Sequence, residues 1–191
     1  KYQEAITYLD KALAIDPNDV DALNYKGHAL YSLEKPEEAV TTFEKVSTYY
    51  DKILAIDPND VNALYNKGLA LDAMDKYQEA IPYYDKILAI DPNNVNVLYN
   101  KGQALRFLGK YQEAISYYDK VLAIDPNDVN ALGNKCYTVE SLGKYQEAIT
   151  CYDKGLAIYP NDVDLLGSKA TVLYKLGQYQ EAITYYDKAL A

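Results

Sequence analysis

A chain of 191 residues with 28 acidic against 19 basic side chains, net charge −9, repels phosphate backbones and anionic lipid headgroups. Nucleic acid and membranes are therefore excluded as expected partners, and no apolar run approaches the roughly 18 residues of a membrane span. The only two cysteines, Cys136 and Cys151, make no disulfide framework, so simple packing in a reducing cytoplasm is expected of them.

The first expected element is a helix from Tyr2 to Ile15, in a segment 1–19 that opens with Lys1-Tyr-Gln-Glu-Ala-Ile and closes with Asp16-Pro-Asn. Both phrases recur. The opening phrase returns at Lys76, Lys110 and Lys144, as Gln178-Tyr-Gln-Glu-Ala-Ile, and in diverged form as Lys35-Pro-Glu-Glu-Ala-Val. The closing phrase returns at Asp57, Asp91 and Asp125, and as Tyr159-Pro160-Asn161. Successive closing phrases lie 34 residues apart, except for a step of 41 between Asp16 and Asp57. The chain is thus divided into a half repeat 1–19 and repeats 20–60, 61–94, 95–128, 129–162 and 163–191.

In 20–60, seven extra residues fall between Pro36 and Asp57. Two readings are open, a bulge or loop that absorbs them and one continuous helix over about 36–56. Thr41 to Thr48 contains neither Gly nor Pro, and seven residues turn a helical stripe by only about 20°, which favours the helix. In 61–94, Pro82 falls inside an expected helix, as a hinge or as a tolerated defect, and should cost one hydrogen bond there. The repeat 95–128 shows the helical spacing plainly. Leu98, Leu105 and Leu108 mark a first helix, and Tyr111, Ala114, Ile115, Tyr118, Val121 and Leu122 a second. Gly109, Gly143 and Gly177 stand where left-handed C-caps belong, Pro92, Pro126 and Pro160 stop the second helices, and Asp19, Asp60, Asn94, Asp128 and Asp162 are placed to cap the next. The last expected helix runs from Tyr179 to Leu190.

Groups for catalysis are scarce. His28 is the only histidine, so no histidine metal cluster exists. Gly109-Lys110 and Gly143-Lys144 lack the rest of a phosphate loop, and the Asp-Pro-Asn runs lack the glycine and terminal glutamate of a calcium loop. Carboxylates recur once per repeat (Glu79, Glu113, Glu147, Glu181), whereas an active site needs one special environment. No enzyme, cofactor or metal is expected.

The 34-residue length is joined by small residues in mid first helix (Gly27, Gly68, Gly102, Cys136, Ala170) and in the second helix (Ala39, Ala80, Ala114, Ala148, Ala182). An aromatic follows four residues later (Phe43, Tyr84, Tyr118, Tyr152, Tyr186), and then a closing proline. This pattern resembles the tetratricopeptide repeat over essentially the whole chain. Two columns depart from the family. Lys26, Lys67, Lys101, Lys135 and Lys169 replace a usual leucine, with methylenes expected to lie over the helix crossing, and Leu23, Leu64, Leu98, Leu132 and Leu166 replace a usual large aromatic.

The resemblance implies an all-α fold, an α-solenoid of antiparallel helix hairpins in a right-handed superhelix. It also implies a non-catalytic scaffold that binds an extended or helical peptide in a concave groove lined by the first helices. Three groove asparagines, Asn66, Asn100 and Asn134, form a ladder able to pair with a peptide backbone, or a habit of the family. Around them vary Asn24, Tyr65 and Tyr99 (Gly133 and Gly167 in the later repeats), then His28, Gln103 and Tyr137, then Asp72, Arg106 and Glu140, with Phe107 beside Arg106. The aromatic members offer rigid contact area. The basic clamp by which some relatives hold chaperone C-terminal tails is missing: its lysine columns read Asn24 and Asn96, its arginine column Asn100 and its first asparagine column His28, so that partner is not expected. The alternative is a structural spacer or self-assembly module joined through uncapped terminal helices.

Overall fold

The computed structural model describes residues 1–190, and every regular element among them is an α-helix. The helices are α1 (Tyr2–Ile15), α2 (Val20–Ser32), α3 (Pro36–Ile56), α4 (Val61–Asp72), α5 (Tyr77–Ile90), α6 (Val95–Phe107), α7 (Tyr111–Ile124), α8 (Val129–Ser141), α9 (Tyr145–Ile158), α10 (Val163–Lys175) and α11 (Tyr179–Leu190). They belong to two compact units, Lys1–Pro92 and the residues from Asn93 onward. In the first, α1 packs on α2, and α2/α3 and α4/α5 form hairpins; in the second, α6/α7, α8/α9 and α10/α11 do so, with the first helices α6, α8 and α10 side by side. This is the α-solenoid expected from the repeat.

Local chemistry sets the boundaries. The side chains of Asp19, Asp60, Asn94, Asp128 and Asp162 each accept the backbone N–H three residues on, at 2.8–3.2 Å, and so satisfy one orphan donor at the start of each first helix. The first helices end in left-handed turns. Gly109, Gly143 and Gly177 have φ of 73–77°, and the Lys110 N–H returns to the Leu105 carbonyl at 2.9 Å. Glu34 and Asp75 take the same turn at φ 58° without the freedom of glycine.

The seven-residue insert is helical. α3 has 21 residues against 14 in α5, α7 and α9, and it runs unbroken. Phe43 and Tyr50, seven residues apart, are both buried, Phe43 against Gly27 and Tyr50 with Leu23, Val46, Ala63 and Ala70. α5 likewise continues through Pro82, its first turn tightened by the Glu79 N–H bonded to the Lys76 carbonyl at 3.0 Å.

The small columns are close approaches. A Cβ added to Gly27, Gly68 or Gly102 would stand 2.6–2.8 Å from the ring of Phe43, Tyr84 or Tyr118. The lysine column does more than lay methylenes across this crossing. Its ammonium groups reach back sixteen residues to the preceding second helix, Lys26 to Asp10 at 2.6 Å, Lys67 to Asp51 at 2.7 Å, Lys135 to Asp119 at 2.6 Å and Lys169 to Asp153 at 2.5 Å. Lys101 and Lys169 also reach forward to the hydroxyls of Tyr117 and Tyr185, each at 2.6 Å. Lysine therefore stitches one hairpin to the next, which a leucine could not.

The expectation for the cysteines is corrected. Cys136 of α8 and Cys151 of α9 form a disulfide rather than packing as thiols. Cys136 occupies the small column, and Cys151 stands where Tyr117 and Tyr185 stand in the flanking hairpins. Scarcity of cysteine thus gives no argument for a reducing compartment. No described helix is long and apolar enough to cross a membrane.

Candidate functional site

The expected groove residues all lie on first helices, and each unit presents its own set. In the first unit, His28 is exposed and meets the Phe43 ring edge-on at 5.1 Å, while Asn24, Tyr65 and Asn66 are half-buried. The Asn66 amide donates to the carbonyl of Asn62 in its own helix at 2.8 Å.

The second unit holds a denser cluster. Tyr99 of α6 lays its ring 6.1 Å from that of Tyr118 in α7, and its hydroxyl accepts the Asn134 amide of α8 at 2.9 Å. Asn134 also donates to the Asn130 carbonyl at 2.9 Å, so both amide hydrogens are engaged within the protein. Its side-chain oxygen has no such bond to the protein among the described residues. Asn100 and Gln103 are half-buried on α6. The Arg106 guanidinium lies 4.2 Å from the Phe107 ring and 5.4 Å from the Tyr137 ring, and these rings remain 52% and 49% exposed. Arg106 thus organises two rings that packing does not consume. The guanidinium lies beside the buried Tyr118 hydroxyl, near enough to hold its oxygen. Burial pushes that hydroxyl up to about 12, against the pull of the Arg106 charge.

The column of Asp72, Arg106 and Glu140 does not belong wholly to the groove. These positions face the tyrosine twelve residues on, in the second helix of the same hairpin. The Tyr84 hydroxyl donates to Asp72 at 2.5 Å and the Tyr152 hydroxyl to Glu140 at 3.2 Å. Glu140 is only 7% exposed and also accepts from Lys175 of α10 at 2.7 Å. Burial pushes the Asp72 carboxyl up to about 7, although the Tyr84 hydrogen bond pulls the other way, and its Oδ1 has no partner among the described residues.

Sequence reasoning missed a cavity of about 220 Å³ between α8 and α10, whose lining includes Gly133, Asn134, Tyr152, Leu165, Ser168 and the carboxylates Asp162 and Asp164. Its signal was present: Gly133 follows two tyrosines, Tyr65 and Tyr99, in one column.

Profiles described as tetratricopeptide repeat match residues 1–50, 61–94 and 95–128, and one described as anaphase-promoting complex, cyclosome, subunit 3 matches residues 113–189. No curated protein matches the sequence. Among solved structures, MamA is 24% identical at a TM-score of 0.72, with 82% of this chain and 91% of that chain covered. PilW, described as a type IV pilus biogenesis factor, is 24% identical at 0.71, with 96% and 82% covered. YrrB, described as a tetratricopeptide protein with an unusual peptide-binding site, is 20% identical at 0.62, with 95% and 90% covered. From its repeats, caps and hairpins together with these matches, the chain belongs to the tetratricopeptide repeat family.

Proposed function

We propose that the protein is a non-catalytic interaction scaffold whose first-helix faces bind a segment of another polypeptide, extended or helical. The observation that carries this reading is the pair of exposed rings, Phe107 and Tyr137, held on one face of the second unit by Arg106. Aromatic side chains and arginine are the residues that most often anchor protein interfaces, and here they stand clear of the core. The acidic balance of the chain favours a neutral or basic segment over an acidic tail. A peptide array probed with the protein identifies binders. For these, Arg106→Ala combined with Tyr137→Ala is expected to weaken binding about 10- to 30-fold, as for loss of an interface hot spot. Unchanged affinity would refute the assignment of this face.

A second reading, self-association, is favoured by apolar side chains left bare on the outermost helices. They are Tyr2 and Tyr8 on α1, and Tyr179, Ile183 and Leu190 on α11. Mass in solution across protein concentrations separates it from the first. As for compartment, the Cys136–Cys151 disulfide speaks against the cytoplasmic expectation.

A further inference from the structure

The cavity between α8 and α10 sits where the preceding hairpin step carries a tyrosine of its own. Tyr99 projects from α6, rests near Tyr118 of α7 and meets Asn134 of α8. One repeat later, the equivalent positions are Gly133 on α8, Tyr152 on α9 and Ser168 on α10, and all three line the cavity. The two wall residues, an aromatic ring and a polar hydroxyl, are in place, while the side chain between them is missing. A Cβ built on Gly133 meets only Leu165, at 3.8 Å. Leu165 is larger than Ala131, which holds its column one repeat earlier. Its Cδ1 turns into the room left by Gly155, lying 2.9 Å from where a Cβ there would stand, and the cavity stays open.

We propose that this cavity accepts a tyrosine side chain from the bound peptide, its ring lying between α8 and α10 as Tyr99 lies between α6 and α8, with its hydroxyl directed to Ser168. The proposal rests on the peptide-binding reading and makes it specific. The size suits one side chain rather than a whole small-molecule ligand, for which pockets of about 300–1,000 Å³ are usual. The ring lies over Gly133 with Leu165 and Tyr152 behind it, and the Ser168 oxygen, whose own hydrogen goes to the Tyr152 hydroxyl, accepts from a tyrosine but not from a phenylalanine. Asp162, which caps α10 through the Leu165 N–H, and Asp164 also line it, and their charge favours a lysine or arginine beside the tyrosine.

The test titrates the full chain with N-acetyl-tyrosinamide, N-acetyl-phenylalaninamide and N-acetyl-alaninamide, followed by amide NMR shifts. The tyrosine probe is expected to shift Gly133 and Ser168, and to bind about three- to tenfold tighter than the phenylalanine probe, the difference that one hydrogen bond supplies. The alanine probe should leave these amides unmoved. Ser168→Ala should remove the discrimination between the two aromatic probes. Gly133→Tyr, which the open Cβ direction admits, should fill the cavity from within and abolish binding while far-UV circular dichroism stays unchanged. Absence of shifts at Gly133 and Ser168, or shifts that survive Gly133→Tyr, would overturn the proposal. The same titration with peptides from the array keeps the two ideas apart. Shifts at Arg106 and Tyr137 without any at Gly133 sink the tyrosine site alone, whereas a face silent to every peptide sinks the broader reading as well.

Discussion

Asp72 shows how a single buried carboxyl can carry a pH dependence. Its folded carboxyl holds its proton up to about 7, well above the value near 3.9 of an unfolded aspartate. Stability from this group is therefore fully present below about pH 4 and is lost as pH rises toward 7, where the folded form must ionise a buried group. Asp72→Asn keeps an acceptor for the Tyr84 hydroxyl and removes the ionisation. It is expected to raise stability by about 1–2 kcal/mol at pH 8 relative to its effect at pH 4, read from urea unfolding at both. Equal effects at the two pH values would contradict the buried carboxylate. Glu34 offers a backbone counterpart. At φ 58° it occupies a turn that glycine holds in three other repeats. Glu34→Gly should stabilise by about 0.5–1 kcal/mol, the left-handed penalty less the added freedom of the unfolded chain. Asp75→Gly should gain less, because Asp75 accepts the Tyr77 hydroxyl at 2.7 Å.

Among the helices, the α8/α9 hairpin is the exception. It replaces the small residue and the tyrosine of its neighbours with two cysteines, and a covalent bond stands where Lys101 and Lys169 use hydrogen bonds to tyrosine. The cysteines are 15 residues apart, a closure that stabilises by about 3 kcal/mol when the bond is unstrained. Reduction should lower the unfolding free energy by about 2–3 kcal/mol, measured by urea titration with and without dithiothreitol. A Cys136→Ala, Cys151→Ala double variant should be insensitive to the reductant. The element boundaries were legible in the sequence, because aspartate caps, glycine turns and proline stops are local devices. The disulfide is legible only as two unusual residues in facing columns of one hairpin, where the repeat asks for small or half-buried side chains and packing accounts for them as well as a bond does.

For the whole molecule, the period carried most of what the sequence disclosed. Thirty-four-residue spacing points to the hairpins and the small-residue crossings, while the seven-residue phase and the lack of Gly and Pro over Thr41 to Thr48 point to the helical continuation of the insert. Contacts between repeats were harder to read, since Glu140 meets Lys175 and Tyr99 meets Asn134 across 35 residues with no local signature. The bond between Tyr99 and Asn134 and the Gly133 cavity are therefore invisible to the repeat pattern alone. In repeat arrays each unit is stabilised by its neighbours, so bare outer helices are the natural place for further association. If α1 or α11 does join copies, light scattering should give a mass above 21.5 kDa that rises with concentration, and Ile183→Glu should return it to the monomer value. A constant monomer mass would refute self-association through α1 or α11.

The length of α3 obeys a rule of phase. Two turns bring a helix back to within roughly 20° of its starting azimuth, whereas five added residues would swing everything downstream by about 140°. An extension of seven is thus close to invisible to the packing on either side, and Phe43 and Tyr50 can answer two different neighbours from one rod. Spacing along this helix can change by whole heptads while the identity of its inward residues stays put, so reach and adhesion are tuned by separate dials.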